Sequence, residues 1–237
     1  MFINFGCPKP GNQSFFMSMS SNQQTLINKC IEYVQSELSD GEKGHDWWHI
    51  KRVWQTSILI AHTEAVDHLV VELAALLHDI ADSKFHAGDE EVGPRKAAEF
   101  LASNNVEPSI IEHVVQIIRY ISFKGGNHPV AFHSPELAVV QDADRLDAMG
   151  AIGIARAFHY GGFKNRLLFH PDIMPDLNMT KEEYKKSDAP TINHFYEKLL
   201  LLKDRMNTPT GKALAIRRHD FMVKFLEEFD QEWNGQI

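Results

Sequence analysis

Apolar residues recur at three- and four-residue steps along most of the chain and strand-like alternation is almost absent, which predicts an all-α fold. Leu26, Ile27, Cys30, Ile31, Val34 and Leu38 form the inner face of a first helix that starts near Ser21 or Asn22 and ends at Gly41-Glu42-Lys43-Gly44. A second helix opens near Asp46 and runs to His62. The third, from about Val66 to Ile80, is apolar nearly all round, as a helix buried on every side must be. Gly93-Pro94 starts a fourth and Pro108 a fifth, whose core side carries Ile110, Ile111, Val114, Val115, Ile117, Ile118 and Ile121. Ser134-Pro135 supplies the N-cap and first-turn proline of a sixth, expected to reach about Phe158 and to stop at Gly161-Gly162.

From Tyr160 to Pro190 three prolines and mixed charge interrupt any period, and a loop of that length points to function or mobility. Two more helices come after it, Thr191 to Met206 and Pro209 to Trp233. In the last, Phe221, Met222, Phe225, Leu226, Phe229 and Trp233 fall at helical spacing and read as core rather than as a base-stacking platform. The expected organisation is a flexible extension over residues 1–20 and a single helical domain over 21–237, with a core of about 23–160, the long loop 160–190 and C-terminal helices 191–233.

Composition adds exclusions. At 43% hydrophobic and 24% charged the chain is close to average, so the bulk of it folds. With 24 basic against 32 acidic residues, a net charge of −8 and no basic cluster, duplex nucleic acid is not an expected partner. The most apolar run, Leu69 to Ile80, is too short for a membrane span and is interrupted by Glu72 and His78-Asp79. Residues 1–22 lack the positive start, apolar centre and cleavage site of a secretory signal, and Cys7 and Cys30 cannot build a disulfide framework. A cytoplasmic location is expected.

The chemistry begins with ELAALLHDIAD, where His78 and Asp79 sit side by side at the end of the buried helix. A buried carboxylate needs a partner. It has either a neighbouring His or Arg or a divalent metal, which takes imidazole nitrogen and carboxylate oxygen together. In GHDWWHIKRV, His45 and His49 are four apart, but Asp46 stands where a zinc-protease helix needs glutamate and fits an N-cap instead. His49, Arg52 and Val53 share one helix face, while Trp47 and Trp48 pack in the core or wall a site. In VVQDADRLDAMGAIGIARAF, Asp144 and Asp147 lie three apart and Asp142 points elsewhere. In isolation these could be solvated charges with Arg145 as their partner.

Together, His49, the pair His78-Asp79 and Asp144 resemble the H...HD...D signature of the HD superfamily of metal-dependent phosphohydrolases. The contexts HIKRV, LLHDIAD and DADRLDAMGAIGIARAF resemble its bacterial-type predicted hydrolases, and the likeness extends over roughly Gln23 to Phe229. It implies an all-α HD-domain helical bundle with additional C-terminal helices, in which His49, His78, Asp79 and Asp144 hold one divalent ion, Mn²⁺, Mg²⁺ or similar. Asp142 competes with Asp144, but the second aspartate of the A-D-x-L pattern is the one that matches a ligand. His113, His128 and His133 do not reproduce the pattern of the two-metal members.

No serine, cysteine or lysine stands in a nucleophile context and there is no Walker loop, so water activated by the metal is the expected nucleophile on a phosphoester or phosphoanhydride. Asp82 matches the acidic residue that comes after the HD pair in relatives and is expected to orient or deprotonate that water, with Asp89 as second candidate. Arg52, Lys84, Arg145, Lys198 and Arg218 are the cations available to a phosphorylated small molecule, expected to be a nucleotide. Release of phosphate or of pyrophosphate, a nucleotide-sensing module without turnover, and an alarmone hydrolase are the readings the resemblance leaves open. Fold and metal set do not name a substrate.

Overall fold

The computed structural model describes residues 20–38, 46–81, 89–121, 132–180, 183 and 186–236. Its regular elements are helices: α1 (Ser21–Leu38), α2 (Trp47–Ala61), α3 (His68–Leu77), α4 (Val92–Ser103), α5 (Pro108–Ile121), α6 (Pro135–Asp147), α7 (Gly150–Phe163), α8 (Thr191–His194) and α9 (Pro209–Trp233). Between α8 and α9 the chain passes through a π-helical turn, Phe195–Leu199, and a 3₁₀ stretch, Leu200–Arg205. Among the described residues no helix is long and apolar enough to cross a membrane.

Short polar side chains start four of these helices. Asp46 accepts from His49 N (2.8 Å) at α2, Asp67 from Leu69 N and Val70 N at α3, Ser134 from Leu137 N at α6, and Thr208 from Gly211 N at α9. Each takes up an amide that the first turn leaves without an intrahelical acceptor. Helix α3 lies at the centre and packs on α1, α2, α5 and α6. Every residue from Leu69 to Leu77 is buried, and the fully enclosed Leu73, Leu76 and Leu77 each contribute roughly 1.5–3 kcal/mol. The polar exception, Glu72, accepts from Trp54 Nε1 at 2.9 Å.

Several expected boundaries are corrected. Helix α3 ends at Leu77 rather than Ile80, so His78 caps it and Asp79 lies in the next turn. The single helix expected from Ser134 to Phe158 is two helices. Gly150 adopts φ +69°, a conformation without cost only for glycine, and a Cβ there would lie 3.1 Å from Arg218 Cγ. Arg218 in turn donates to Leu146 O, one of the carbonyls at the end of α6. Gly161-Gly162 does not stop α7, which continues to Phe163; Gly161 instead lets Thr191 approach so closely that a Cβ would collide with its hydroxyl. The expected helix from Thr191 to Met206 changes pitch twice. Phe221 and Trp233 are exposed, while Met222 and Leu226 are buried as expected.

The long loop begins at Lys164 and is tied to the C-terminal helices. Thr191 N and Ile192 N donate to Leu167 O and Leu168 O, Asn193 Nδ2 to Ile173 O, and Phe169 packs edge-on against Phe229 and Trp233.

Candidate metal centre

Three elements converge where α2 starts and where α3 and α6 end. The Asp46 cap fixes the first turn of α2, from which the buried His49 projects. The turn after α3 folds His78 back so that its Nδ1 lies 2.8 Å from Ala75 O. A carbonyl only accepts, so Nδ1 carries a proton and, in the neutral ring, Nε2 is the nitrogen with the lone pair. Asp79 sits in the same turn, and Asp144 comes from α6.

The Nε2 atoms of His49 and His78 are 3.3 Å apart. Asp79 Oδ2 lies 3.5 Å from His49 Nε2 and 3.7 Å from His78 Nε2, and Asp144 Oδ1 lies 3.5 and 4.0 Å from the same two atoms. Ligand atoms about 2.0–2.2 Å from a shared ion are themselves roughly 3–3.5 Å apart, so the spacing is nearly that of a coordination shell. Among the described residues His49, His78 and Asp79 form a compact metal-competent group, with Asp144 at its edge, its side chain 38% exposed. Burial alone would push the His49 pKa down, but the bonds to Asp147 and Asp79 and the charge of Asp144 outweigh it and carry it up to about 9. Surroundings that favour a proton so strongly favour a cation.

Behind His49 stands Asp147, one turn beyond Asp144 and almost fully buried. Its Oδ2 lies 2.8 Å from His49 Nδ1, and Arg52 grips both oxygens, Nε to Oδ1 at 2.6 Å and Nη2 to Oδ2 at 3.0 Å. Arg156, from α7, also donates to Oδ2, and its Nη1 lies 2.8 Å from His49 Nδ1. Burial pushes the Asp147 carboxyl up, yet His49 and Arg52 bonded to it and the charge of Arg156 hold it well below the usual carboxylate range.

Sequence reasoning named Asp147 without a role and passed over Arg156. The carboxylate's spacing from Asp144 was a usable signal, whereas the arginine's place depends on the break at Gly150.

The remaining candidates are dispersed. Asp142 is fully buried away from the imidazoles, where it accepts from Asn207 N and from Thr208 N and Oγ1. Arg145 turns toward Asp142, Gln141 and Arg205 O, and burial lowers its pKa. Arg218 is taken by Leu146 O. Lys198 is exposed on the π-helical turn near His194, and Asp89 pairs with Arg95 and accepts from Glu91 N at the start of α4. His113 bonds Ser134 at the opposite end of α6. Asp82 and Lys84 lie outside the described residues, as do His45 and His128.

Residues 47–149 match the family model of the HD domain. The chain is 36% identical over 204 residues to the YpgQ protein of Bacillus subtilis, spanning 86% of this chain and 91% of that one. It belongs to the HD superfamily. Within it, the crystal structure of an HD-superfamily hydrolase from Bacillus thuringiensis is 42% identical, with a TM-score of 0.73 over 90% of this chain and 98% of that one. A Lactobacillus plantarum structure is 37% identical, with a TM-score of 0.76 over 90% and 98%. The structure of B. subtilis YpgQ in complex with ADP gives a TM-score of 0.72 at 33% identity, over 89% and 96%. The matched HD segment contains all four candidate ligands and Asp147, and ends just before the Gly150 break.

Proposed function

We propose that this HD-superfamily chain is a metal-dependent phosphohydrolase that hydrolyses a phosphoester or phosphoanhydride of a nucleotide. One observation carries the reading: Nε2 of His78 faces His49 Nε2 at 3.3 Å with carboxylates of Asp79 and Asp144 within 4.0 Å. Lone pairs and negative charges gathered like this, largely out of water, call for a positive centre. His49, His78, Asp79 and Asp144 would hold one divalent ion, Mn²⁺, Mg²⁺ or similar, by two nitrogens and two oxygens. When bound, that ion supplies Lewis acidity toward a phosphoryl oxygen and toward the attacking water.

The chain's own groups would do the rest. Arg52 and Arg156, 34% and 37% exposed at their side chains, stand beside His49 with donors in a planar fork suited to phosphate oxygens. Arg145 and Arg218 instead serve the scaffold through their bonds to Arg205 O and Leu146 O. Asp82, three residues past Asp79, is assigned the water, with Asp89 second because it is engaged with Arg95. The ADP complex of the YpgQ relative supports a nucleotide as the phosphorylated ligand.

The test is a panel of nucleoside mono-, di- and triphosphates given to the purified protein with Mn²⁺ or Mg²⁺, phosphate and pyrophosphate being measured separately. Metal-dependent release of either product is expected. Nucleotide binding without release would replace hydrolysis by sensing, and turnover confined to guanosine alarmones would move the substrate to that class.

A further inference from the structure

We propose that Asp147 is a positioning residue of the metal centre, which fixes the His49 ring so that Nε2 is its ligating nitrogen and Nδ1 donates to the carboxylate. The proposal rests on the reading of a metal-dependent hydrolase and deepens it.

A neutral imidazole carries one proton on two nitrogens, and only the bare nitrogen binds a metal. For His78 a backbone carbonyl makes the choice. His49 Nδ1 has two neighbours at the same 2.8 Å that ask for opposite tautomers: the Asp147 carboxylate, which can only accept, and the Arg156 guanidinium, which can only donate. Three features decide between them. His49 Nε2 points at His78 Nε2 and at both ligand carboxylates, so if it binds the metal the ring proton must be on Nδ1. Asp147 is the better anchored neighbour, with both oxygens held by Arg52 and a side chain only 5% exposed. Arg156 has Oδ2 of Asp147 as an acceptor of its own and does not need the ring nitrogen.

A carboxylate behind a metal-bound histidine fixes the ring's orientation and makes the ligating nitrogen more basic, and its loss typically weakens metal binding roughly 10–100-fold. Asp147 therefore acts on the metal through His49, without being a ligand itself. A carboxylate needed only to join α2, α6 and α7 by ion pairs would affect the melting temperature and leave metal affinity alone.

The test titrates metal-free full-length protein with Mn²⁺ calorimetrically and, for the ring, records ¹H–¹⁵N histidine spectra of the Zn²⁺-loaded protein. Asp147→Asn keeps the shape and removes the charge; Asp142→Asn makes the same exchange on the same helix, at a buried carboxylate that serves Asn207 and Thr208 instead of the His49 ring. Expected are a roughly 10–100-fold weaker Mn²⁺ affinity for Asp147→Asn, a change of under about 3-fold for Asp142→Asn, and a His49 Nδ1–H resonance in wild type that shifts in Asp147→Asn. Equal affinity in wild type and Asp147→Asn overturns the positioning role while leaving the metal reading intact. Should Asp147→Asn fail to fold, the wild-type spectrum decides: an Nδ1–H signal for zinc-bound His49 supports the proposal and an Nε2–H signal overturns it. A wild type that holds neither ion overturns the metal reading and this proposal with it.

Discussion

Asp142 on α6 closes the start of α9 through Thr208: its Oδ2 accepts from Thr208 N at 2.7 Å and from Thr208 Oγ1 at 2.8 Å, with no exposed surface. The same carboxylate accepts from Asn207 N, which places the negative charge against the positive end of a 25-residue helix. Asp142 thus belongs to the scaffold, two residues before a candidate ligand.

Removing it should be costly. Asp142→Ala strands several donors in the interior and is expected to destabilise by about 3–5 kcal/mol, read by denaturant unfolding. Gly211→Ala should act through the same contact, because a Cβ there would collide with the buried Asp142 Oδ2. In both variants the molecules that remain folded should bind metal normally.

Metal loading should answer to the other set. His78→Ala, Asp79→Ala and Asp144→Ala are each expected to lose the ion on purification, as elemental analysis would show, and to unfold without the metal-dependent rise in melting temperature expected of wild type. Full metal content in Asp144→Ala would transfer the fourth ligand position to another group.

Turnover separates from loading at the residue assigned to the water. Asp82→Asn is expected to keep the metal and to lose about 10²-fold or more in rate, the scale for a general acid-base group. A near wild-type rate for Asp82→Asn together with a collapse for Asp89→Asn would exchange the two carboxylates.

Acid stability carries a signature of His194. Burial, with the charges of Lys198 and Arg166, lowers its pKa from the ordinary 6.5 to about 4. Between these values the unfolded chain binds a proton that the folded one refuses, so stability falls as pH drops from about 6.5 to 4, by something on the order of 3 kcal/mol in full. His194→Gln should flatten that part of the curve in urea melts at successive pH values. Asp147 has the opposite charge type and a depressed pKa, so its contribution is present above the carboxylate range and is lost only at lower pH.

How far the sequence could be read depended on physical range. Caps act over three residues, so Ser134-Pro135 and Asp46 announced their helices, and an HD pair at the end of an otherwise apolar helix announced the family. The direction of Arg145 was not legible, because sequence adjacency to Asp144 says nothing about which way a long side chain turns; it is drawn to partners at positions 141, 142 and 205. The change of pitch from α8 through Phe195–Leu199 and Leu200–Arg205 was equally hidden, since a three-to-four-residue rhythm fits π, α and 3₁₀ turns alike.

The break at Gly150 also brings together two side chains that one continuous helix would have kept apart. On an unbroken α-helix, nine residues would put Asp147 and Arg156 about 13.5 Å apart along the axis and on opposite faces. Here they touch. The register of α7 is thereby uncoupled from that of α6: residues on the outer side of α7 can be exchanged without rotating Asp144 or Asp147, while Arg156 stays tied to the carboxylate it meets.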